Sequence, residues 1–287
     1  MAGSAVKIAV VKLGCIGTLP LLDIMIDERA DRKDVEIRAF SSGSKMDTTS
    51  CEDVTRTVLA YGPDLVLLVS PNATLSGPTK ARNALLSASI PTIAITDGPG
   101  QKAFMVKDEQ GKKRPVQVEG LGFVVIPQDP MIGARREFLD PTEMVLFNGE
   151  LLKVLSVTGV IRKLQKVIDR VIEDIRNKCA PSLPRLVLHS EEAAAEAGFA
   201  NPYAASKAIA ALKILEALAK VSSEACFKAK DRNKYVLLAS AAHEMLRAAA
   251  LLADEIRELE KSNDAILRTS HRADGSVKRY LSLLEDD

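Results

Sequence analysis

The sequence predicts an α/β protein in which a doubly wound, mainly parallel sheet domain is followed by a helix-bundle domain. Apolar, β-branched runs recur in the first half at residues 6–11, 35–40, 64–69, 91–96 and 122–126, mostly separated by helix-length segments, and this is the rhythm of a parallel sheet. Several of these runs lack clean alternation, as strands covered by helices on both faces do. After Asp140 the apolar period changes to that of amphipathic helices. A chain of 287 residues is long for one core and short for two full ones, so we read residues 1–140 as the sheet domain, 141–262 as the helical domain and 263–287 as a short extended tail.

Ligands of an open parallel sheet bind beyond the carboxyl ends of its strands, so the strand exits are the places to read for chemistry. The first run exits into Leu13, Gly14, Cys15, Ile16, Gly17 and Thr18. Its two glycines allow close backbone approach, and the helix that follows can offer free amides to a phosphate. A dinucleotide site would require GxGxxG, whereas only GxxG is present, and the second run ends at Ser41 and Ser42 without a ribose-binding acid. NAD is thereby disfavoured; Lys45 leaves NADP open, although an ordinary surface lysine reads the same. The third run exits through Ser70, Pro71 and Asn72, the fourth through Asp97, Gly98, Pro99 and Gly100, and the fifth through Pro127, Gln128, Asp129 and Pro130. Turns need such residues anyway, but four polar, glycine- or proline-containing exits along one edge frame a cleft. Residues 100–120 are polar and irregular, the pattern of a surface excursion or of a lid.

Asp140, Pro141 and Glu143 form the pattern of a capping box, with Asp140 as cap and Glu143 returning to the cap amide. Arg135 and Arg136 precede that helix start, where the helix dipole disfavours positive charge; Glu137 and Asp140 supply anions, or a ligand does. Beyond it, Ile161, Leu164, Ile168, Val171 and Ile175 mark one amphipathic helix. Asn201 and Pro202 open a second, which carries Ile209, Leu212 and Leu215. Met245, Ala249, Leu252, Ile256 and Leu259 stripe a third.

Charge excludes other classes of partner. Lys plus Arg (39) nearly cancels Asp plus Glu (38), so no net field attracts nucleic acid or an anionic membrane. No apolar run reads as approaching the ~20 residues needed to span a bilayer, and no secretory leader is seen, so a cytoplasmic location is expected. The four cysteines, Cys15, Cys51, Cys179 and Cys226, form no CxxC pair and read as small core residues of a protein in a reducing compartment. His243 and Glu244 lack a second histidine four residues on, and no GxSxG elbow or Walker loop occurs, so neither a metal site nor acyl transfer is expected.

Residues 129–148, DPMIGARREFLDPTEMVLFN, resemble the most distinctive segment of the F420-dependent methylenetetrahydromethanopterin dehydrogenases. The likeness extends to the opening strand with its Gly14 to Gly17 loop, Leu21, Leu22 and Asp23, the DERAD turn at 27–31, Ser70 to Asn72, Gly77 and Pro78, Asn201 to Tyr203, and residues 241–269. Cys15, where a polar residue is usual, and the length of the 100–120 excursion depart from the family pattern.

The resemblance implies an α/β domain joined to a helix bundle, a homo-oligomer, and reversible hydride transfer in the one-carbon metabolism of methanogenesis. Hydride would pass between methylene-tetrahydromethanopterin and the dissociable deazaflavin coenzyme F420, giving methenyl-tetrahydromethanopterin and reduced F420. Both reactants carry their own chemistry, so the protein needs no nucleophile or metal. On this reading Asp129 and Glu143 are the catalytic candidates, favouring the cationic product. Asp129, Pro130, Met131 and Glu143 contact the pterin carrier. Gly14, Cys15, Ile16, Gly17, Thr18, Ser70, Pro71, Asn72, Asp97 and Arg135 contact the coenzyme, whose phosphate and glutamyl tail are anionic. An NADP-dependent methylene-pterin or methylene-folate dehydrogenase and a non-catalytic pterin- or deazaflavin-binding paralogue are the alternatives.

Overall fold

A computed structural model describes residues 5–130 and 140–285. The described chain divides into two compact units: one holds the residues up to Ile126 with Gln165–Val187 and Ala273–Gly275, and the other holds the rest.

The first unit is built on a six-stranded, all-parallel sheet of β1 (Val6–Lys12), β2 (Val35–Ser41), β3 (Leu65–Ser70), β4 (Thr92–Asp97), β7 (Leu121–Ile126) and β8 (Arg185–Val187). Their order is β2-β1-β3-β4-β7-β8. The five strands expected from the sequence are present within a residue or two. Three of the four interior strands, β3, β4 and β7, are buried at every position, which is why they read as apolar runs without alternation. Helices α1 (Thr18–Ile26), α2 (Thr48–Tyr61) and α3 (Ser76–Ser87) make the crossovers. The order reverses between β1, whose chain goes outward to β2, and β3, so the topological switch point lies at the carboxyl ends of β1 and β3.

Two features of this unit depart from the sequence reading. The 100–120 excursion is not purely a surface loop: a 3₁₀ turn at Gly98–Ala103 leads into an antiparallel hairpin, β5 (Met105–Lys107) with β6 (Lys113–Pro115). Phe104 anchors it, fully buried and stacked on Phe123 with ring centroids 4.8 Å apart. The other is β8, too short to announce itself. Arg32 and Asp34 form a bidentate pair, at 3.0 and 2.7 Å, with both side chains buried, and Gly275 packs so closely on the Asp34 carboxylate that a side chain there would collide. This pair and the Lys33 amide bond to Ala273 hold residues 273–275 to the sheet unit.

The second unit is helical: α4 (Pro141–Val157), the start of α5 (Val160–Arg176), α6 (Ser190–Ala197), α7 (Pro202–Ser223) and α8 (Arg232–Ser262), with a π-helical turn at Glu224–Lys228 between α7 and α8. Alanines at 204, 208, 211, 242, 249, 250 and 253 are buried, small enough for helices to approach closely. The expectation that no apolar run approaches bilayer length is corrected here. α8 spans 31 residues and contains an 18-residue stretch apolar enough, by length and composition, to cross a membrane; α4 and α5 pass only as a pair, bent by 66°. Alanine is the cause, since it raises hydropathy without adding bulk, and α8 packs against α7 and α4. Past Asn263 the chain doubles back, pairing Arg268 with Tyr280 and His271 with Val277.

Only one of the four cysteines is the fully buried core residue expected. Cys51 is buried, and burial pushes its thiol up to about 11; Cys15 and Cys226 are half-buried and Cys179 is exposed.

Candidate functional site

The switch point gathers the first group of expected residues. Gly14 has φ of +94°, a conformation open chiefly to glycine, and a Cβ there would sit 2.8 Å from Met46 Cγ and 3.1 Å from Pro71 Cδ. The β1 and β3 exits therefore touch, with Met46 wedged against both. Gly14, Ile16, Gly17 and Thr18 are buried and Cys15 is half-exposed; Gly17 is the cap residue of α1. At the β3 exit, the buried Ser70 hydroxyl accepts from the Asn72 amide at 3.3 Å and faces Met46 Sδ at 3.9 Å. Asn72 spends its side-chain oxygen on Thr74, at 3.1 Å to the amide and 2.6 Å to the hydroxyl.

The β4 exit joins this edge. Asp97 is 1% exposed and its Oδ1 accepts from the Gly100 amide, capping the 3₁₀ turn. Thr96 Oγ1 accepts from the Ala73 amide at 3.3 Å, tying the exits of β3 and β4 together, and Gly100 lies so close to Thr96 that any side chain there would collide. Arg82 of α3 ends at the same place: its Nη1 donates to Ala73 O at 3.1 Å and its guanidinium lies over Phe104, 5.2 Å from the ring centroid. Sequence reasoning missed Arg82, because KAR in a helix reads as a solvated face; only the fold reveals that it is 9% exposed.

In the helical unit, Gln128, Asp129 and Pro130 are buried, Gln128 and Asp129 at 0% and 1% exposure. Gln128 Nε2 donates to Glu216 Oε1 at 2.8 Å and also lies within reach of Ser190 Oγ and Leu188 O. Ser190 Oγ donates to the same Glu216 oxygen at 2.7 Å. Burial works to raise the Glu216 carboxyl, but these hydrogen bonds and Lys213 carry it below its ordinary value, so it stays ionised. This clasp fixes the chain beside Asp129.

Glu143 corrects one expectation. Asp140 does cap α4, accepting from the Glu143 amide at 2.9 Å, but Glu143 does not return to the cap amide. Its Oε2 lies 3.3 Å from His243 Nδ1 of α8, and the His243 ring packs on Phe147 with centroids 4.8 Å apart. Burial holds the imidazole below its ordinary value although Glu143 pulls the other way. Near neutral pH the histidine of this pair is therefore neutral.

Met131 and Arg135 lie outside the described residues, and so do Arg136 and Glu137. Among the described residues no group of three or more His, Cys, Asp or Glu side chains is placed to hold a metal ion. A cavity of about 190 Å³ in the helical unit, lined by residues including Arg162, Phe199, Arg257, Glu260 and Leu267, contains none of the expected residues.

Comparison with known proteins agrees with this architecture. Residues 6–287 match the family model described as methylene-5,6,7,8-tetrahydromethanopterin dehydrogenase. The F420-dependent methylenetetrahydromethanopterin dehydrogenase of Methanosphaera stadtmanae is 48% identical over 97% of this chain and 98% of its own length, and that of Archaeoglobus fulgidus is 47% identical over 95% of each. A solved structure of F420-dependent methylene-tetrahydromethanopterin dehydrogenase, in complex with methylene-tetrahydromethanopterin and coenzyme F420, superposes with a TM-score of 0.90 at 43% identity, covering 99% of both chains. The chain belongs to the methylene-5,6,7,8-tetrahydromethanopterin dehydrogenase family.

Proposed function

We propose that this protein is an oxidoreductase that moves a hydride, reversibly, between methylene-tetrahydromethanopterin and coenzyme F420. The observation that carries the reading is likeness along essentially the whole chain to enzymes of that activity, including one solved with both reactants bound. The sheet unit fits the coenzyme: its switch point presents close-packed, glycine-containing exits and a helix start, the features that receive anionic ligands. The coenzyme supplies the hydride-accepting ring, so this chain's task is to bind, orient and exclude water.

Gly14, Cys15, Ile16, Gly17, Thr18, Ser70, Pro71, Asn72, Asp97 and Arg135 are assigned to the coenzyme, and Asp129, Pro130, Met131 and Glu143 to the pterin carrier. Asp129 is buried, and a negative charge placed there acts in low dielectric, where it favours positive charge on the oxidised pterin most strongly. Glu143, whose carboxyl group is turned to His243, is assigned the same purpose. The cytoplasm and a homo-oligomer complete the proposal; Val145 and Leu146 of α4 and Leu237 and Leu251 of α8, all more than half exposed, support the oligomer.

An anaerobic assay of methylene-tetrahydromethanopterin with F420, run beside one with NADP, tests the activity. Reduction of F420 alone is expected; reduction of NADP alone would make the enzyme a pyridine-nucleotide dehydrogenase, and binding without turnover a silent paralogue. Asp129→Asn keeps shape and should lower kcat about a hundredfold or more with the thermal transition unchanged. An unaltered kcat would remove Asp129 from the chemistry.

A further inference from the structure

Among the described residues no acid compensates the burial of Arg82. It sits in the middle of α3, and its side chain runs back toward the helix start, as helical side chains do, to reach the loop after β3. A guanidinium carries five N–H donors. Among the described residues Arg82 makes one hydrogen bond, to the Ala73 carbonyl, and one ring contact, to Phe104. Among these residues it has no carboxylate partner, and burial lowers its proton affinity. A buried charge without a counter-charge is among the costliest arrangements in a protein, and a methionine would fill the same space without that cost.

Its position says what the charge is for. Ala73 O also accepts from Thr79 Oγ1 at 3.2 Å, and Ala73 N donates to Thr96, so Arg82 is pinned where the exits of β3 and β4 meet, on the ligand-binding edge of the sheet. A planar fork held by one carbonyl and one ring keeps its other donors for a bidentate acceptor, the geometry that suits a carboxylate or phosphate.

We infer that Arg82 is the buried end of an oxyanion subsite at the exits of β3 and β4, and that it takes a phosphate or carboxylate oxygen of the coenzyme's anionic tail. The inference rests on the functional reading above and adds a residue to it. A carboxylate from a second copy of the chain is the competing occupant, and the test separates the two.

The experiment compares wild type, Arg82→Met and Arg82→Lys by coenzyme titration, thermal melting and sedimentation. Three probes are used: F420, its derivative ending at the phosphate, and the deazaflavin fragment lacking both phosphate and glutamates. Arg82→Met should weaken F420 binding about tenfold or more while leaving the fragment within about twofold. Its unliganded melting temperature should stay level or rise, a result that a purely structural arginine would not give. Arg82→Lys should recover part of the affinity. If the derivative ending at the phosphate loses as much as F420, the oxyanion is the phosphate; if it loses little, the oxyanion is a glutamyl carboxylate. Equal F420 binding by wild type and Arg82→Met overturns the inference alone, as does equal weakening of all three probes. A lower melting temperature or smaller oligomer at unchanged affinity also overturns it, in favour of a structural or intersubunit role. Wild type that takes up no F420 overturns the functional reading along with it.

Discussion

His243 shows how much a single side chain hides from its sequence. Its neighbour Glu244 invites comparison with a zinc-protease helix, and the missing second histidine ends that comparison, yet nothing in the spacing says that Glu143, 100 positions earlier, is its partner. Burial is the largest influence on the imidazole and lowers its proton affinity; Glu143, Glu150 and Glu244 act against this without overcoming it. The folded protein therefore binds fewer protons at this site than the unfolded chain, whose histidine titrates near about 6.5. Stability from this group is complete above that pH and is lost as the pH falls through it toward the lower folded value. His243→Gln keeps a donor for Glu143 and cannot titrate. As the pH falls below about 6.5 the wild type should lose stability, relative to this variant, by at most about 1.4 kcal/mol per pH unit in urea melts. Parallel curves for the two proteins would show that the imidazole titrates as it does in the unfolded chain. Residues whose role lies in backbone geometry were easier to read: Gly14 and Asp140 announce a tight turn and a helix cap through local chemistry alone, whereas Arg82, Gln128 and His243 acquire their surroundings from chain segments far away.

Elements were legible in proportion to their length and burial. Strands β3, β4 and β7 declare themselves because a strand covered on both faces needs apolar residues at every position, and β1 nearly does; edge strand β2 shows itself instead by alternation, while β8, three residues paired with β7, carries neither signal. Hairpin β5–β6 was read as an irregular excursion because its strands are three residues each and largely exposed; the informative residue there is Phe104, the one large apolar side chain that a polar loop would have no reason to bury. Helix α4 illustrates a motif half obeyed. Its cap forms as the pattern says, but the carboxylate that would complete the box is drawn to His243, because a packed partner on α8 offers more than an exposed amide. Asp140→Ala should therefore cost about 1 kcal/mol, the ordinary value of a lost cap, measured as a shift in the urea midpoint. A cost near zero would mean that packing on α8, and not the cap, sets where α4 begins.

For the whole molecule, the sheet's place in the fold was read from rhythm and its ligand edge from strand exits, and both follow from one physical rule: parallel strands need crossovers, and crossovers leave loops and helix starts at one edge. What a single sequence does not display is which exposed apolar residues are solvent-facing accidents and which are interfaces. Leu237 and Leu251 are 71% and 58% exposed on α8, and Val145 and Leu146 are 70% and 57% exposed on α4, which packs against α8. The leucines lie 14 residues apart, close to four helical turns, so they fall along one side of α8. Single exposed leucines are ordinary, but four exposed apolar side chains on two helices that pack together are worth testing as part of an interface. If a second copy of the chain covers it, Leu237→Glu with Leu251→Glu should shift the protein to a smaller species in sedimentation velocity while leaving helix content unchanged by circular dichroism. Each glutamate would bring an unpaired charge into a closed interface, where desolvation makes it far costlier than in water. A double variant that sediments with the wild type would place the oligomer contact on another face.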